Sequence, residues 1–365
     1  MKTRFNIHKD RQTILPNLTF FIHSAILVET LLILSSLPVF YSCVHYDSPM
    51  IADHVICEGM TKSPLLSIDI PRSLMKEGSV FDIFFFRDDI LSYLDSYQRI
   101  IWDGDGSLEA SSTTGARRVV VIANSPFTQE ECMKIRVYED ISSLQCDLAE
   151  DSPDTPVMFG ESRLDSNAES KCYLRLHPVM SEIRLASISC DFHDRGYCGE
   201  TLDSVKFYLT NVCCLYPVCD TIAADPHGML NIGGLNKADM ASVSDSSILY
   251  HEYGGRIGLA VAYPEVRFYC YGNAAMGEGV GTRRTRLVVE GVLLGKRYWY
   301  PVTVGEDKGI YPGCSYVYDL TITRAGTDDP DSPADIVVAR RRFSVKPWTE
   351  VAERTIPFSL TICKP

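Results

Sequence analysis

Short apolar segments recur along the chain at the spacing of β-strands. Residues 65–70 alternate apolar and polar side chains, and residues 205–212 do the same. Residues 80–86 are aromatic and β-branched, whereas residues 118–123 form the continuous apolar run of a buried strand. Seven further segments have strand character: Ile257–Ala262, Val266–Tyr271, Arg286–Gly291, Tyr298–Val304, Tyr316–Thr323, Phe343–Val345 and Ile356–Ile362. Turn signals separate these segments, so the pattern predicts many short strands.

Helical periodicity is scarce, and its clearest signal is local. Thr128 followed by Glu131 resembles a capping box, so a short helix is expected there. Many short strands with few helices predict an all-β fold, and the length of 365 residues suggests two tandem β-sandwich domains with Greek-key type connections. The polar stretch 162–171 is typical of a boundary. We therefore place one domain at residues 44–172 and the other at residues 173–365.

Residues 1–43 have the composition of an export leader. The start is cationic, with Lys2, Arg4, Lys9 and Arg11. The apolar block 31–41 that follows has the length of a secretory h-region and is short for a membrane span. Cys43 comes after a small residue at the end of this block, which resembles a bacterial lipoprotein signal. We expect acylation at Cys43; the alternative is a signal anchor that stays uncleaved.

The charge and the motif content exclude several classes of function. The chain has 35 Lys and Arg against 47 Asp and Glu, a formal net charge of −12. An acidic surface repels the phosphate backbone, so nucleic acid is not an expected partner. The HExxH, GxSxG and Walker-type signatures do not occur. Because no nucleophile–base pair, cofactor motif or metal-ligand set can be named, we expect a non-enzymatic protein with neither a cofactor nor a metal.

Thirteen cysteines are the most unusual feature of the composition. Their spacing lacks the paired C-x₂-C motifs of a zinc site. In an exported protein, Cys190–Cys198 and Cys214–Cys219 are the candidate disulfides. The alternative is that most of the cysteines are buried thiols, which pack as small apolar side chains.

Nine segments stand in the order and spacing of a known family. They are SVFDIFFFRDD (79–89), RRVVVIANSP (117–126), PVMFGE (156–161), LRLHPVMSEIRLASI (174–188), LDSVKFYLTNV (202–212), TRLVVEG (285–291), RYWYPVTV (297–304), YVYDLTITRAGTDDPDSP (316–333) and FSVKPWTE (343–350). The most specific piece is the Leu-Thr-Ile-Thr strand followed by Gly-Thr and an acidic, Pro-rich turn. In this order the chain resembles the fimbrillins, the structural subunits of type V pili in Bacteroidales, over roughly residues 65–350.

The resemblance implies two transthyretin-like sandwiches in a lipoprotein that is exported to the outer membrane and assembled with other fimbrial subunits into a surface fimbrium for adhesion. It also implies that a trypsin-like protease removes an N-terminal strand, which leaves a groove for a strand of another subunit. Such a groove has unpaired backbone groups and an apolar slot, and an added strand satisfies both. Residues 65–70 are the candidate removable strand. Arg72 is the expected cleavage site, with Lys76 as the second choice.

The candidate donor strand lies in residues 343–365. Its candidate contact residues are Trp348, Ile356, Phe358, Leu360 and Ile362, the last four of which alternate with polar or proline positions. The alternative is that this segment is simply the last strand of its own C-terminal domain. Pro347 and Pro357 favour an edge position in a sheet.

Two other functions stay open at this point. One is an uncleaved anchor or tip subunit of the same pilus. The other is a glycan-binding surface lipoprotein, in which aromatic side chains stack on sugar rings. The candidate aromatic groups are Tyr298, Trp299 and Tyr300, or Tyr269 and Tyr271.

Overall fold

Strands dominate the structure, so the predicted all-β class is confirmed. It is a computed structural model that describes residues 66–69, 72–104, 108–113, 115, 117–164, 172–219, 227–275, 283–332, 338–348 and 358–363. The leader 1–43, with Cys43, lies outside the described residues, and so does Ile356. The described residues belong to one compact unit, and the division between residues 172 and 173 stays a prediction.

The described residues form twenty strands. In chain order they are β1 Leu66–Asp69, β2 Val80–Arg87, β3 Leu94–Ile101, β4 Leu108–Thr113, β5 Arg117–Ala123, β6 Gln145–Asp147, β7 Met158–Leu164, β8 Cys172–Arg175, β9 His177–Pro178, β10 Ser181–Cys190, β11 Asp203–Thr210, β12 Val212–Pro217, β13 His227–Leu230, β14 Tyr250–Glu252, β15 Val266–Cys270, β16 Arg286–Leu293, β17 Lys296–Thr303, β18 Cys314–Ile322, β19 Val338–Pro347 and β20 Phe358–Cys363.

Within the part of the chain that the structure describes, helical structure is confined to short pieces. The α-helices are α1 Gln129–Cys132 and α2 Lys237–Ser242, and the 3₁₀ turns are Arg72–Leu74, Tyr138–Ser143, Ser246–Ile248 and Glu306–Lys308. The predicted capping box is present at α1. The Thr128 hydroxyl accepts a hydrogen bond from the Glu131 N–H (3.3 Å), and the Glu131 carboxylate accepts one from the Thr128 N–H (2.8 Å). No helix among the residues described is long and apolar enough to cross a membrane.

A five-stranded antiparallel sheet with the order β3-β2-β5-β7-β9 forms the first layer of the N-terminal half. Its central strands β2 and β5 contain the long apolar runs predicted as strands from the sequence. Phe81, Ile83 and Phe85 of β2 pack on one face of this sheet, and Phe84 and Phe86 pack on the other. Both faces are therefore covered, which explains the near-continuous apolar runs.

Two parallel strand pairs, β4–β20 and β1–β8, form the second layer. Leu108 and Ala110 of β4, together with Leu174 from β8 and Leu176 just after it, pack against the Phe81 face of the five-stranded sheet. Burial of this apolar area stabilises the layer at about 25 cal/mol per Å². The two layers together make a β-sandwich.

The C-terminal half contains two four-stranded sheets that pack face to face. Their strand orders are β15-β10-β18-β19 and β14-β11-β16-β17. Ile183, Tyr318, Phe207 and Val289 come from central strands of the two sheets and belong to one buried core. A small sheet, β13-β12-β6, joins β6 of the N-terminal half to β12. β19 lies at a sheet edge, as Pro347 at its end favours.

The segment 257–262, expected to be a strand, is a corner instead. Ile257 forms an isolated bridge with Leu202, and Ala262 forms one with Ile188. Leu202 immediately precedes β11 and Ile188 lies in β10, so this segment crosses from one sheet to the other. Its apolar residues therefore belong to a connection between the two sheets and not to a strand with a continuous hydrogen-bonded ladder.

Candidate strand-exchange site

The candidate removable strand and the candidate donor strand lie in the same layer. β1 pairs in parallel with β8, and β20 pairs in parallel with β4. β1 and β20 also contact each other, so the four strands follow one another as β4, β20, β1 and β8. The C-terminal strand of the chain therefore belongs to the sandwich of the N-terminal half and not to either four-stranded C-terminal sheet.

The register of β20 follows the alternation predicted from the sequence. Phe358 and Leu360 are the register partners of Leu108 and Ala110, and Ile362 is the partner of Ser112. Leu108, Ala110 and Ser112 are the buried positions of β4. The three apolar positions of β20 thus stand level with the positions through which β4 faces the core.

Trp348, the remaining candidate donor residue within the described part of the chain, packs on the C-terminal half. The centroid of its ring lies 5.5 Å from that of the Tyr269 ring, and its backbone N–H donates to the Gly313 carbonyl at 2.8 Å. Trp348 and β20 are therefore held on different sandwiches. The structure does not bring Trp348 together with Phe358, Leu360 and Ile362.

The outer strand β4 is fastened to the first layer by Gln98 of β3. The Gln98 side-chain amide donates to the Ser111 carbonyl, and its oxygen accepts from the Ser111 N–H at 3.1 Å. One side chain thus satisfies both backbone groups of Ser111, as a neighbouring strand would.

The other outer strand, β8, lies unusually close to β7. A Cβ added at Gly160 of β7 would stand 2.5 Å from the Arg175 carbonyl oxygen and 2.9 Å from side-chain atoms of Leu174 and Leu176. Only glycine allows this approach. Gln98 and Gly160 therefore position the two outer strands of the second layer, β4 and β8, and β20 and β1 lie between these strands.

The predicted cleavage site lies between β1 and β2. Arg72 begins the 3₁₀ turn that follows β1, and Ser73 beside it is exposed. The chain becomes fixed immediately afterwards. Asn124 donates from its side-chain amide to the Leu74 carbonyl (2.9 Å) and the Pro156 carbonyl (2.8 Å), and it accepts from the Ser79 hydroxyl (2.6 Å).

Asn124 occupies a special backbone position at the end of β5. Its φ is +52°, a left-handed conformation that asparagine tolerates better than most residues. This conformation turns the chain out of the sheet and presents the side-chain amide to the linker between β1 and β2. Asn124 lies in the segment RRVVVIANSP (117–126), which carries part of the family resemblance, but the resemblance gives it no role. The signal available was an asparagine directly after a buried strand.

Solved structures share this arrangement of sheets, although neither a family model nor a curated protein sequence matches the chain. A fimbrilin from Porphyromonas gingivalis is 14% identical, with a TM-score of 0.52; the match covers 78% of this chain and 98% of that one. A candidate cell adhesion protein from Bacteroides eggerthii is 17% identical, with a TM-score of 0.51, and covers 83% of this chain and 94% of its own. Another, from Parabacteroides distasonis, is 14% identical, with a TM-score of 0.51 and coverage of 78% and 98%.

The chain has the fimbrilin fold. The fold expected from the resemblance is therefore confirmed over most of the chain. Within this fold, the second layer described above is the candidate strand-exchange site.

A buried ion pair braces the first layer of the fimbrilin fold beneath α1. Arg99 of β3 donates to Asp82 of β2 through two nitrogens, at 2.8 and 2.7 Å, and the Tyr97 hydroxyl donates to the same carboxylate at 2.6 Å. Burial and the bond to Asp82 raise the pKa of Tyr97. Burial likewise raises the pKa of the neighbouring Cys132 thiol to about 12, so this thiol stays protonated.

A cleft of about 550 Å³ adjoins the linker that follows the predicted cleavage site. Lys76, Asn124 and Asp151 are among its lining residues. Asp151 is buried; its carboxylate accepts from the N–H groups of Ser152 (2.9 Å) and Val157 (3.2 Å) and from the Tyr271 hydroxyl (3.1 Å). Burial raises its pKa to about 6, against the lowering effect of these hydrogen bonds.

The four cysteines of the candidate disulfides are free thiols. Cys190 is buried at the end of β10, whereas Cys198 is exposed in the following loop; Cys214 and Cys219 are half-buried. Neither candidate disulfide, Cys190–Cys198 or Cys214–Cys219, is formed here. Cys190 packs in the core between the C-terminal sheets, which is the alternative considered from the sequence.

The candidate sugar-stacking aromatics are mostly occupied within the fold. Tyr300 and Tyr271 are fully buried. Tyr269 packs against the tilted ring of Trp348, and the Trp299 indole N–H donates to Glu290 at 3.3 Å. These contacts leave little free ring surface for a glycan.

Proposed function

We propose that this chain is a structural or accessory subunit of a cell-surface fimbria, assembled by β-strand exchange and serving adhesion. The observation that carries the proposal is the position of β1 in the second layer of the sandwich, directly before Arg72. Cutting there detaches a strand that pairs with β8 and contacts β20. The vacated slot has unpaired backbone groups and an apolar floor, which another subunit's strand fits.

The cut is a hydrolysis by a trypsin-like protease. Water adds across the peptide bond between Arg72 and Ser73, which leaves a carboxylate on Arg72 and an amino group on Ser73. The side of the linker that stays with the body is held by two hydrogen bonds: Asn124 donates to the Leu74 carbonyl, and the Ser79 hydroxyl donates to Asn124. The body therefore keeps its new N-terminus in place while the segment before it can leave.

The proposal includes the leader. Acylation at Cys43 holds the exported precursor at the outer membrane, and the cut after Arg72 separates the body from that anchor. Other fimbrial subunits, identical or different, are the expected partners.

The test uses the full chain expressed in a bacterial host that acylates exported lipoproteins. Limited digestion with a trypsin-like protease is followed by mass spectrometry of the N-terminus and by light scattering and electron microscopy. A product that begins at Ser73 and forms filaments supports the proposal. An Arg72→Ala variant is the matched control and stays monomeric. A wild-type body that begins at Ser73 but remains monomeric, alone and with other subunits, contradicts polymerisation; a chain that resists cutting points to an anchor or tip subunit.

A further inference from the structure

The C-terminal strand β20 is held in the second layer by one ladder and one flanking strand. Its ladder runs from Phe358 opposite Leu108 to Cys363 opposite Thr113, and among the described residues β4 is its single ladder partner. Its other side is covered by β1. A two-stranded ribbon is at best marginally stable in water, and parallel pairing is slightly weaker per residue than antiparallel pairing.

The outer strands of the layer have independent supports. β4 is tied to β3 by the side chain of Gln98. β8 packs against β7 at Gly160, and the chain after it continues into β9, which pairs with β7. Loss of β1 therefore leaves β4 and β8 in place and turns β20 into an unprotected edge strand.

We propose that β1 retains β20 in its own sandwich, so that a single cut after Arg72 both opens the acceptor slot and releases the C-terminal strand for donation. This inference rests on the proposed function and adds the step that controls when assembly begins. Before the cut, the chain's own strands fill both positions between β4 and β8. The precursor can then neither accept a strand from another subunit nor donate its own, which prevents premature polymerisation.

Hydrogen exchange measures the release directly. Backbone amides of residues 358–363 are followed by mass spectrometry in the intact chain and in the monomeric body that begins at Ser73, which size exclusion separates from residues 1–72 and from assembled subunits. We expect their exchange to speed up at least tenfold after the cut, while amides of β2 and β5 stay protected. A synthetic peptide of residues 62–72 should restore the protection, and a peptide of the same composition in scrambled order should not.

Two outcomes of this measurement overturn the inference. One is unchanged protection of residues 358–363 in the isolated body. The other is co-elution of the cut N-terminal piece with the body, because the cut then fails to release β1. Arg72→Ala, incubated with the protease, is the control for effects unrelated to the cut and should keep the exchange of the intact chain.

A disulfide that fixes β20 to β4 allows this inference to be tested separately from the proposed function. Thr113 is the register partner of the native Cys363. Neighbouring strands lie about 4.8 Å apart, within the range of about 4.4–6.8 Å between Cα atoms that a disulfide spans. Thr113→Cys therefore allows a disulfide that fixes β20 to β4, and the double variant Thr113→Cys with Cys363→Ser cannot form it.

We expect the oxidised Thr113→Cys chain to be cut after Arg72 but not to assemble, and a reductant to restore assembly. Assembly of the locked chain at the rate of the double variant overturns the coupled release and leaves the fimbrial function standing. A wild-type body that never assembles, but whose residues 358–363 lose protection on cutting, contradicts the proposed function and supports the release.

Discussion

The side-chain amide of Asn124 donates a 2.9 Å hydrogen bond to the backbone carbonyl of Leu74, two residues beyond the predicted cleavage site. The same side chain also bonds to Pro156 and Ser79. Asn124, at the end of β5, thus fixes the segment directly after the predicted cleavage site.

Asn124→Ala should loosen this linker and create a second cut. The variant loses three hydrogen bonds, each contributing about 1 kcal/mol, and adds about 1 kcal/mol of left-handed backbone strain. We expect the free energy of unfolding to fall by about 4 kcal/mol. Because the exposed Lys76 then lies in a mobile segment, protease should also cut after it. Mass spectrometry of the digest distinguishes bodies that begin at Ser73 from bodies that begin at Glu77.

Asn124→Gly is the matched control, because glycine adopts the positive φ without strain but makes none of the bonds. It should also give the Glu77 product, with a smaller loss of stability. If both variants yield only the Ser73 product, the hydrogen bonds from Asn124 do not protect the linker.

The sequence predicts the elements whose burial is complete and misses those that depend on distant partners. β2 and β5 start and end within one residue of the segments predicted at 80–86 and 118–123, because strands covered on both faces are apolar throughout. β3 was missed, since Arg99 breaks its apolar pattern. That arginine is accommodated by Asp82 on the neighbouring strand, a contact that no local pattern reveals.

The candidate site could be predicted only in part for the same reason. Alternation in residues 356–362 predicts a strand, but not that its partner is β4, far back in the chain. Gly160 and Gln98 carry no sequence signal for their roles. Gly160 matters because β8 passes close to it, and Gln98 matters because it bonds to Ser111 of β4 in the other layer. Both contacts join strands that are distant in the sequence or lie in different layers.

Gly160→Ala should displace β8 and weaken the second layer. The new methyl group would meet the Arg175 carbonyl oxygen at 2.5 Å, and a backbone atom cannot move aside without shifting its strand. Overpacking of this kind costs about 1–3 kcal/mol. Chemical denaturation should report that loss, and β1 should exchange its amides faster. Gly254→Ala is the control, since an added Cβ there meets nothing within 4 Å. Equal stability of the two variants would show that β8 can move freely.

Asp82→Ala should be the most destabilising of these substitutions. It removes the common acceptor of Arg99 and Tyr97 and leaves a largely buried guanidinium without its carboxylate. Breaking a buried pair from one side costs about 3–5 kcal/mol. Arg256→Ala, which removes the exposed ion pair with Asp203, should hardly change the denaturation midpoint. A loss at Asp82 no greater than that at Arg256 would contradict the bracing role.

Asp151 should make stability depend on pH. Its pKa is raised by burial to about 6 in the folded chain, above the usual value of 3.8. Between these pH values the folded chain holds a proton that the unfolded chain has lost. The contribution of Asp151 to the free energy of unfolding therefore falls as pH rises from about 4 to about 6, and then stays level. The change amounts to about 3 kcal/mol at most, at 1.36 kcal/mol per pKa unit.

Asp151→Asn keeps the shape of the side chain, can still accept from the N–H groups of Ser152 and Val157, and does not titrate. The difference in free energy of unfolding between this variant and the wild type should therefore grow in favour of the variant from pH 4 to pH 6 and remain constant above it. Urea denaturation at each pH gives that difference directly. Asp154→Asn, which changes an exposed carboxylate on the same loop, is the control for the substitution itself. A flat difference curve for Asp151→Asn would mean that the carboxylate stays ionised in the fold, hydrated from the adjoining cleft.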